Sequence, residues 1–230
     1  MFVPLPFPNV SMIAFSGHPD CETLAFDPVL YHRDLDQMGC EGQRQIEFLW
    51  GRHAAHAALR QSGAWSAANT RIGRDEFGAP QWPQGWTGSI SHSRGTFIAA
   101  TASTADYLSL GVDVETARGP GLARAINRLC LSDGDAEHGN PTVLFSAKEA
   151  IYKAVHPHIG GHLWFTDFTV HHFDTDGQFE WSFNLDPRVS GTGHYFTTDD
   201  LVLTCVTLPC DHMLANRVVT VRKLESSLGL

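Results

Sequence analysis

Lysine is scarce in this chain of 230 residues, which contains only Lys148, Lys153 and Lys223. Two of the three lie in one stretch of ten residues, FSAKEAIYKA (residues 145–154), on either side of Glu149. Lys and Arg together number 16 against 25 Asp and Glu, and the formal net charge is −9 with histidine neutral. This balance argues against a broad nucleic-acid-binding surface, whereas a small phosphorylated ligand needs only a few local arginines.

Other features are missing as well. The N-terminal stretch MFVPLPFPNVSMIAF contains prolines and no basic region, so we expect no signal peptide, and no apolar run is long enough to span a membrane. The five cysteines are odd in number and show no CxxC spacing, which predicts reduced thiols in a cytoplasmic protein. The hydrophobic fraction of 43% is sufficient for a buried core, in one large domain or two small ones.

The first half of the chain mixes helical and strand-like segments. Apolar residues recur at helical spacing within residues 40–61, which predicts a helix with Arg44 and Arg52 on its polar side. A stretch rich in Gly, Pro and Trp follows (residues 64–88), and its length is typical of a functional loop. Two strand-like runs, SISHS and TFIAATAS, come next.

The second half begins with the pattern of a half-buried strand, because apolar residues alternate with small or acidic ones in LSLGVDVE (residues 108–115). We expect a short helix in GLARAINRL (residues 121–129). A longer helix should open at Pro141 and end near His156, since Pro157 follows. Two hairpins are predicted beyond it. The mixture predicts an α+β fold without regular βαβ alternation.

Three acidic residues and a lysine fall at spacings that can bring them together. Asp113 and Glu115 share one face of a strand, and Glu149 and Lys153 share one face of a helix. If the two elements face each other, the carboxylates converge, and a hard cation such as Mg²⁺ or Mn²⁺ relieves their repulsion. A solvated strand face and a surface ion pair on the helix are the alternatives, and spacing alone favours these.

His92 follows a short strand in GSISHSRG. A histidine at a strand end can bind a phosphate group, and a purely structural histidine is the alternative. The chain has no GxSxG elbow for a serine hydrolase, and its 13 histidines show no HExxH or CxxC-type zinc spacing.

Four stretches in order resemble the 4′-phosphopantetheinyl transferases, in particular the subfamily that includes the enterobactin-synthetase transferase. The four are RQIEFLWGRHAAHAAL, GAPQWPQGWTGSISHS, GVDVE and FSAKEAIYKA, within residues 43–155. The last two, at this separation, are the most specific. The resemblance implies a pseudo-dimer of two similar α+β halves (residues 1–107 and 108–230), each a three-stranded antiparallel sheet with a long helix. Coenzyme A would bind in the cleft between the halves.

The resemblance also implies a reaction, in which the phosphopantetheine arm of coenzyme A moves to a serine of an apo carrier protein and adenosine 3′,5′-bisphosphate is released. Asp113, Glu115 and Glu149 would hold Mg²⁺, with Mn²⁺ as the alternative. Glu149 would also act as the base, and Lys153 would stabilise developing charge. The residues implied in coenzyme A binding are Arg44, Arg52, Ser91, His92, Asp113, Lys148 and Lys153.

One departure from the family pattern concerns the nucleotide. Many relatives carry a basic residue just before the position of Pro80, where it helps to bind the 3′-phosphate, but this chain has Ala79. Arg71 and Arg74, in the same loop, are the candidates to replace it.

The partner and its pathway stay open at this stage. An acyl or peptidyl carrier of fatty-acid, polyketide, siderophore or nonribosomal-peptide synthesis fits the resemblance, and a patch of Arg118, Arg124 and Arg128 could attract an acidic carrier. An exposed helix face without a partner is equally consistent with these arginines. A Mg²⁺-dependent nucleotide phosphohydrolase is the rival enzyme class. We expect a monomer that binds no nucleic acid and no membrane.

Overall fold

The computed structural model describes residues 7–16, 26–38, 42–116, 130–138, 140–159 and 163–210. The helices within these ranges are α1 (His32–Gln37), α2 (Gln43–Gln61) and α3 (Pro141–Ile159). The strands are β1 (Ser11–Ser16), β2 (Gly73–Arg74), β3 (Pro80–Gln81), β4 (Trp86–Ser93), β5 (Thr96–Ser103), β6 (Tyr107–Thr116), β7 (Phe168–Phe173), β8 (Gln178–Phe183), β9 (Asp186–Thr197) and β10 (Leu201–Pro209).

The first sheet has three antiparallel strands in the order β1-β5-β4, with α2 packed on it. Strands β4 and β5 are joined by Arg94 and Gly95, whose φ angles of 46° and 81° suit a two-residue hairpin. Helix α2 presents small side chains to the sheet, including Ala54 and Ala55, and these share a core cluster with Ala99 of β5. Small residues on both sides let the helix lie close to the strands. Short strands β2 and β3 form a separate hairpin.

The second sheet has five antiparallel strands in the order β6-β10-β9-β8-β7, with α3 packed on it. Apolar side chains of the helix, including Ile151 and Val155, share a core cluster with Phe168 and Trp181 of the sheet. Both predicted hairpins are confirmed, as β7–β8 and β9–β10. The prediction of three strands in each half is wrong for the second, because both hairpins join β6 in one sheet.

The ends of the two long helices differ from the prediction. Helix α2 begins at Gln43, and Cys40 lies outside the described residues. Helix α3 continues past Pro157 to Ile159, so the predicted end near His156 is wrong. A proline removes one backbone donor, but Ile159 is only 1% exposed, and its burial favours continuation of the last turn. The short helix predicted in residues 121–129 lies outside the described residues.

The two sheets meet where β4 lies beside β6. A core cluster containing Ile98 of the first sheet and Val112 and Val114 of β6 spans this boundary. On the other face of β6, α3 approaches so closely that a Cβ atom at Gly111 would lie 1.9 Å from the carbonyl oxygen of Ala150. Only glycine permits this distance, which brings the acidic end of β6 against α3.

Three of the five cysteines lie within the described ranges. Cys130, Cys205 and Cys210 are free of disulfides, and the first two are buried. None of the described helices combines the length and the apolar character that crossing a membrane requires.

Candidate active site

Strand β6 carries two acidic residues beside β4. Asp113 and Glu115 are two residues apart, so they project on the same face of the strand. The hydroxyl of Ser91 on β4 donates a hydrogen bond to Asp113 Oδ1 (2.8 Å), and the hydroxyl of Ser93 donates one to Glu115 Oε2 (3.3 Å). The prediction of a half-buried strand is wrong here, because α3 covers the acidic face and leaves Asp113 only 3% exposed.

Asp113 accepts hydrogen bonds from both β4 and α3. From α3, the hydroxyl of Ser146 donates to Asp113 Oδ2 (2.8 Å) and the ammonium of Lys153 donates to Asp113 Oδ1 (2.7 Å). Lys153 Nζ also donates to Ser91 Oγ (3.0 Å) and to the carbonyl oxygen of Val112 (3.2 Å). Lys153 therefore lies against Asp113, within the cluster.

Glu149 completes the cluster one turn before Lys153. Its Oε2 atom is 3.8 Å from Lys153 Nζ. Burial raises the pKa of Glu149, and the negative charges of Asp113 and Glu115 raise it further, against the opposing effect of Lys153. Burial alone would lower the pKa of Lys153, but Asp113 and Glu149 outweigh burial and raise it. The site thus holds a carboxylate that takes up a proton readily beside an ammonium that keeps its charge.

The donor set of this cluster suits a hard divalent cation. Asp113, Glu115 and Glu149 offer only carboxylate oxygens, the ligands that Mg²⁺ prefers in proteins. Lys153 Nζ lies 2.7 Å from Asp113 Oδ1 and 3.8 Å from Glu149 Oε2, and Glu115 follows Asp113 on the same face of β6. In the part of the chain that the structure describes, no three acidic, histidine or cysteine side chains are already arranged as a metal site. The chemistry of the residues therefore fits Mg²⁺, while the Lys153 ammonium neutralises Asp113.

Lys148 does not join this cluster, although it is adjacent to Glu149 in sequence. Its side chain is fully buried and its ammonium donates to Asp135 Oδ2 (2.5 Å), to Ser132 Oγ (3.0 Å), and to backbone carbonyl oxygens. The two carbonyls belong to Cys130 (2.7 Å) and Phe168 (3.0 Å). Lys148 thus joins α3 to β7 and to residues 130–135 through its contacts with protein oxygens.

Besides the acidic cluster, the described residues form a second region of interest, which is concave and has a volume of about 670 Å³. This second concave region lies between α2, the β2–β3 hairpin and β4. The charged and titratable residues that line it are Arg44, Glu47, Arg52, Arg74 and His92. Arg52 lines this region together with Arg44, but it is only 5% exposed and donates hydrogen bonds to backbone carbonyl oxygens. Burial lowers the pKa of His92, with smaller electrostatic effects from Glu47, Lys153 and Asp113. His92 lies on β4, the strand that also carries Ser91 and Ser93 of the acidic cluster.

Several residues of the site escaped prediction from the sequence. Ser93 and Ser146 donate to the acidic cluster, and Asp135 partners Lys148. The two serines carried a usable signal: Ser93 lies two residues after Ser91, and Ser146 lies three before Glu149, so each faces a predicted site residue. Asp135 carried none, because its pairing with Lys148 depends on the path of the intervening chain.

Two models of known protein families match this chain. The family model described as the 4′-phosphopantetheinyl transferase N-terminal domain matches residues 36–102, which include α2 and strands β2–β5. The model described as the 4′-phosphopantetheinyl transferase superfamily matches residues 109–206, which include the acidic strand and α3. The chain belongs to the 4′-phosphopantetheinyl transferase superfamily.

Individual relatives show how far the similarity extends. The 4′-phosphopantetheinyl transferase Npt of Nocardia iowensis is 36% identical over 50% of this chain and 53% of its own length. The 4′-phosphopantetheinyl transferase PptT of Mycobacterium tuberculosis is 31% identical over 72% of this chain and 80% of its own. Enterobactin synthase component D of Salmonella typhi is 31% identical over 62% of this chain and 64% of its own. The match thus spans from about half to four fifths of these relatives.

Proposed function

We propose that the protein transfers the 4′-phosphopantetheine group of coenzyme A to a serine hydroxyl of an apo carrier protein and releases adenosine 3′,5′-bisphosphate. Membership of the superfamily and the names of the relatives support this reaction. The observation that carries the proposal is the convergence of Asp113, Glu149 and Lys153, with Lys153 Nζ 2.7 Å from Asp113 and 3.8 Å from Glu149. A carboxylate beside an ammonium group suits proton abstraction next to a phosphate.

In this proposal Glu149 is the general base. The serine hydroxyl gives its proton to the Glu149 carboxylate, directly or through one water, and its oxygen forms a bond to the phosphorus that carries pantetheine. The bond from that phosphorus to the bridging oxygen breaks, and the electron pair leaves with adenosine 3′,5′-bisphosphate. Lys153 stabilises the charge that develops on the phosphate oxygens. Glu149 lies one helical turn before Lys153, and its Oε2 atom is 3.8 Å from the ammonium that would stabilise the phosphate, which supports this assignment.

Asp113, Glu115 and Glu149 would hold Mg²⁺, and Mn²⁺ is the alternative with the same ligand chemistry. When bound, the metal ion supplies a positive charge that neutralises the pyrophosphate. Ser91 and Ser146 donate hydrogen bonds to Asp113, so they orient its carboxylate for this purpose. Lys153 also binds Asp113 Oδ1, and its ammonium would turn toward a phosphate oxygen when substrate and metal bind.

The remaining predicted ligand contacts are refined by the geometry. Arg44 and His92 line the second concave region and are proposed to contact coenzyme A phosphates. Arg52 and Lys148 use their donors on protein oxygens, so we assign both as positioning residues. Arg52 supports the backbone beside the region, and Lys148 fixes α3, which carries Glu149 and Lys153.

The same proposal extends to the domain organisation, the location and the partners of the protein. The two sheets with their helices would be the halves of a pseudo-dimer (residues 1–107 and 108–230), with the coenzyme A cleft between them. The protein would act as a cytoplasmic monomer without nucleic-acid or membrane partners. Acyl and peptidyl carriers are both candidates, and the printed name of the Salmonella typhi relative, enterobactin synthase component D, supports a siderophore pathway as one source of carriers. The candidate carrier patch of Arg118, Arg124 and Arg128 lies outside the described residues.

The rival reaction, hydrolysis of a nucleotide, is separated by one experiment. Coenzyme A and Mg²⁺ are incubated with the protein, with and without an apo carrier, and adenosine 3′,5′-bisphosphate is quantified by chromatography. Release that depends on the carrier supports the transferase. Equal release without any carrier would identify a phosphohydrolase and overturn the proposal.

A further inference from the structure

Strand β10 places one hydroxyl group in an apolar stripe beneath α3. Along this face the strand carries Val202, Thr204 and Val206, each at most 2% exposed. Threonine and valine have nearly the same shape, so a valine at position 204 would fill the same space. Burial of a hydroxyl group costs free energy unless the group is hydrogen-bonded, so the Thr204 hydroxyl needs a specific partner.

The partner of Thr204 is Ser146, which connects it to the acidic cluster. Thr204 lies opposite Asp113 in the antiparallel pairing of β10 with β6. Its hydroxyl donates a hydrogen bond to the carbonyl oxygen of Ser146 (2.8 Å), and its oxygen lies 2.9 Å from Ser146 Oγ. The Ser146 hydroxyl donates to Asp113 Oδ2 (2.8 Å). None of the three residues is more than 3% exposed, so the contacts are shielded from water.

The positions of the two hydroxyl protons determine what Asp113 receives, because each hydroxyl has only one proton to donate. If Thr204 donates to the carbonyl oxygen of Ser146, the Ser146 hydroxyl can donate to Asp113 or to Thr204. The carboxylate is then the stronger acceptor because it is charged. If Thr204 donates to Ser146 Oγ, Asp113 is the acceptor that remains. In both arrangements Asp113 Oδ2 receives the Ser146 proton.

The two carboxylate oxygens of Asp113 therefore have different surroundings. Oδ2 is held in the interior by Ser146, whereas Oδ1 accepts from the Ser91 hydroxyl (2.8 Å) and the Lys153 ammonium (2.7 Å). The side chain of Lys153 is 25% exposed, so Oδ1 is the oxygen on the accessible side. Rotation of the carboxylate would exchange the two oxygens. The hydrogen bonds from Thr204 through Ser146 to Oδ2 oppose this rotation.

We propose that Thr204, acting through Ser146, is a positioning residue that fixes which oxygen of Asp113 is available to the divalent cation. The inference rests on the proposed function, in which Asp113, Glu115 and Glu149 hold Mg²⁺. Removal of a group that orients a metal ligand weakens metal binding or activity by about 10-fold to 100-fold. Thr204 acts through a second hydroxyl, so the loss of its own hydroxyl should have the smaller effect.

The Mg²⁺ dependence of carrier modification separates positioning from a general loss of structure. Thr204→Val should raise the Mg²⁺ concentration for half-maximal rate by about 3-fold to 10-fold, the equivalent of one hydrogen bond. The rate at saturating Mg²⁺ should approach that of the wild-type protein, because the variant keeps every proposed metal ligand. A loss of rate that excess Mg²⁺ does not recover would indicate a displaced helix and would contradict the inference.

A binding measurement tests the inference without a carrier and without turnover. Electron paramagnetic resonance quantifies the free Mn²⁺ that remains in a mixture of the protein, Mn²⁺ and coenzyme A. Thr204→Val should weaken Mn²⁺ binding by about 3-fold to 10-fold, and Ser146→Ala by about 10-fold to 100-fold. Thr204→Ser keeps the hydroxyl and should restore binding. Thr207→Val is the matched control, because this buried threonine lies opposite Leu110 on the other face of β10.

The outcomes of this measurement are independent of the transfer reaction. Weaker Mn²⁺ binding in Thr204→Val than in Thr207→Val, with recovery in Thr204→Ser, supports the inference even if no carrier is modified. Equal binding in the wild-type protein and Thr204→Val would overturn it even if carriers are modified. Failure of Thr204→Ser to restore binding, or a wild-type protein that binds no Mn²⁺, would overturn it as well.

Discussion

Gly111 determines how closely α3 approaches the acidic strand, and replacing it with alanine gives the sharpest structural prediction. The new Cβ would lie 1.9 Å from the carbonyl oxygen of Ala150, whereas real Cβ atoms essentially never come within 3.0 Å of a neighbour. The helix or strand must therefore move by at least the difference, 3.0 − 1.9 = 1.1 Å. If that minimum movement is directed along the Lys153–Asp113 bond, the bond lengthens from 2.7 Å to 2.7 + 1.1 = 3.8 Å.

Both stability and activity should fall in Gly111→Ala. Overpacking of this kind costs about 1–3 kcal/mol of the free energy of unfolding. A displacement of about 1 Å between catalytic groups costs on the order of 100-fold in rate. Urea unfolding and carrier modification measure the two effects. Gly191→Ala is the control, because its Cβ would meet only the Trp181 side chain at 3.3 Å, away from the acidic cluster. A Gly111→Ala variant with wild-type stability and rate would refute the close approach of α3.

Three further predictions address charge. Lys153→Ala should lower kcat by about 100-fold to 1,000-fold, because it removes a charge that stabilises the reacting phosphate. Steady-state kinetics measure this effect, with circular dichroism as the control for folding. An unaltered rate would contradict the prediction. Lys148→Met should lower the free energy of unfolding by about 3–5 kcal/mol, since Asp135 is left unpaired in the interior, and Lys148→Met with Asp135→Asn should recover part of it in urea unfolding. Burial lowers the pKa of His56 to about 4 from its ordinary value of 6.5, so the unfolded chain binds the proton more readily. The stability that His56 contributes as a neutral ring is complete above pH 6.5 and falls by about 3 kcal/mol as the pH drops to 4. Urea unfolding at pH 7 and at pH 4 measures this loss, and the His56→Gln variant should lack it.

Local periodicity predicts which acidic side chains share a face, although spacing alone favoured a solvated strand face and a surface ion pair over a cluster. The alternation in β6 gives Asp113 and Glu115 one face, and the turn of α3 gives Glu149 and Lys153 another. Whether these faces meet depends on packing, and Gly111 is the residue that permits it. Spacing alone also cannot tell that the Lys153 ammonium lies against Asp113, since that requires the distance between two elements.

Long-range pairing explains the other differences. Arg52 occurs on a helix with a mixed surface, and nothing local indicates that the carbonyls of Ile72 and Gly73 take its donors. Lys148 looks like an exposed residue beside Glu149, but its partner Asp135 is 13 residues earlier, across a connection of irregular structure. Buried charges are rarely visible in sequence because their partners are brought to them by the fold.

The central claim is tested most directly by the intact mass of an apo carrier protein. One acyl and one peptidyl carrier are incubated with the protein, coenzyme A and Mg²⁺, with an EDTA control and with Glu149→Gln as the matched variant. We predict a gain of one phosphopantetheine unit on at least one carrier, lost in EDTA and strongly reduced in Glu149→Gln. No gain on either carrier, together with no binding of coenzyme A, would contradict the account.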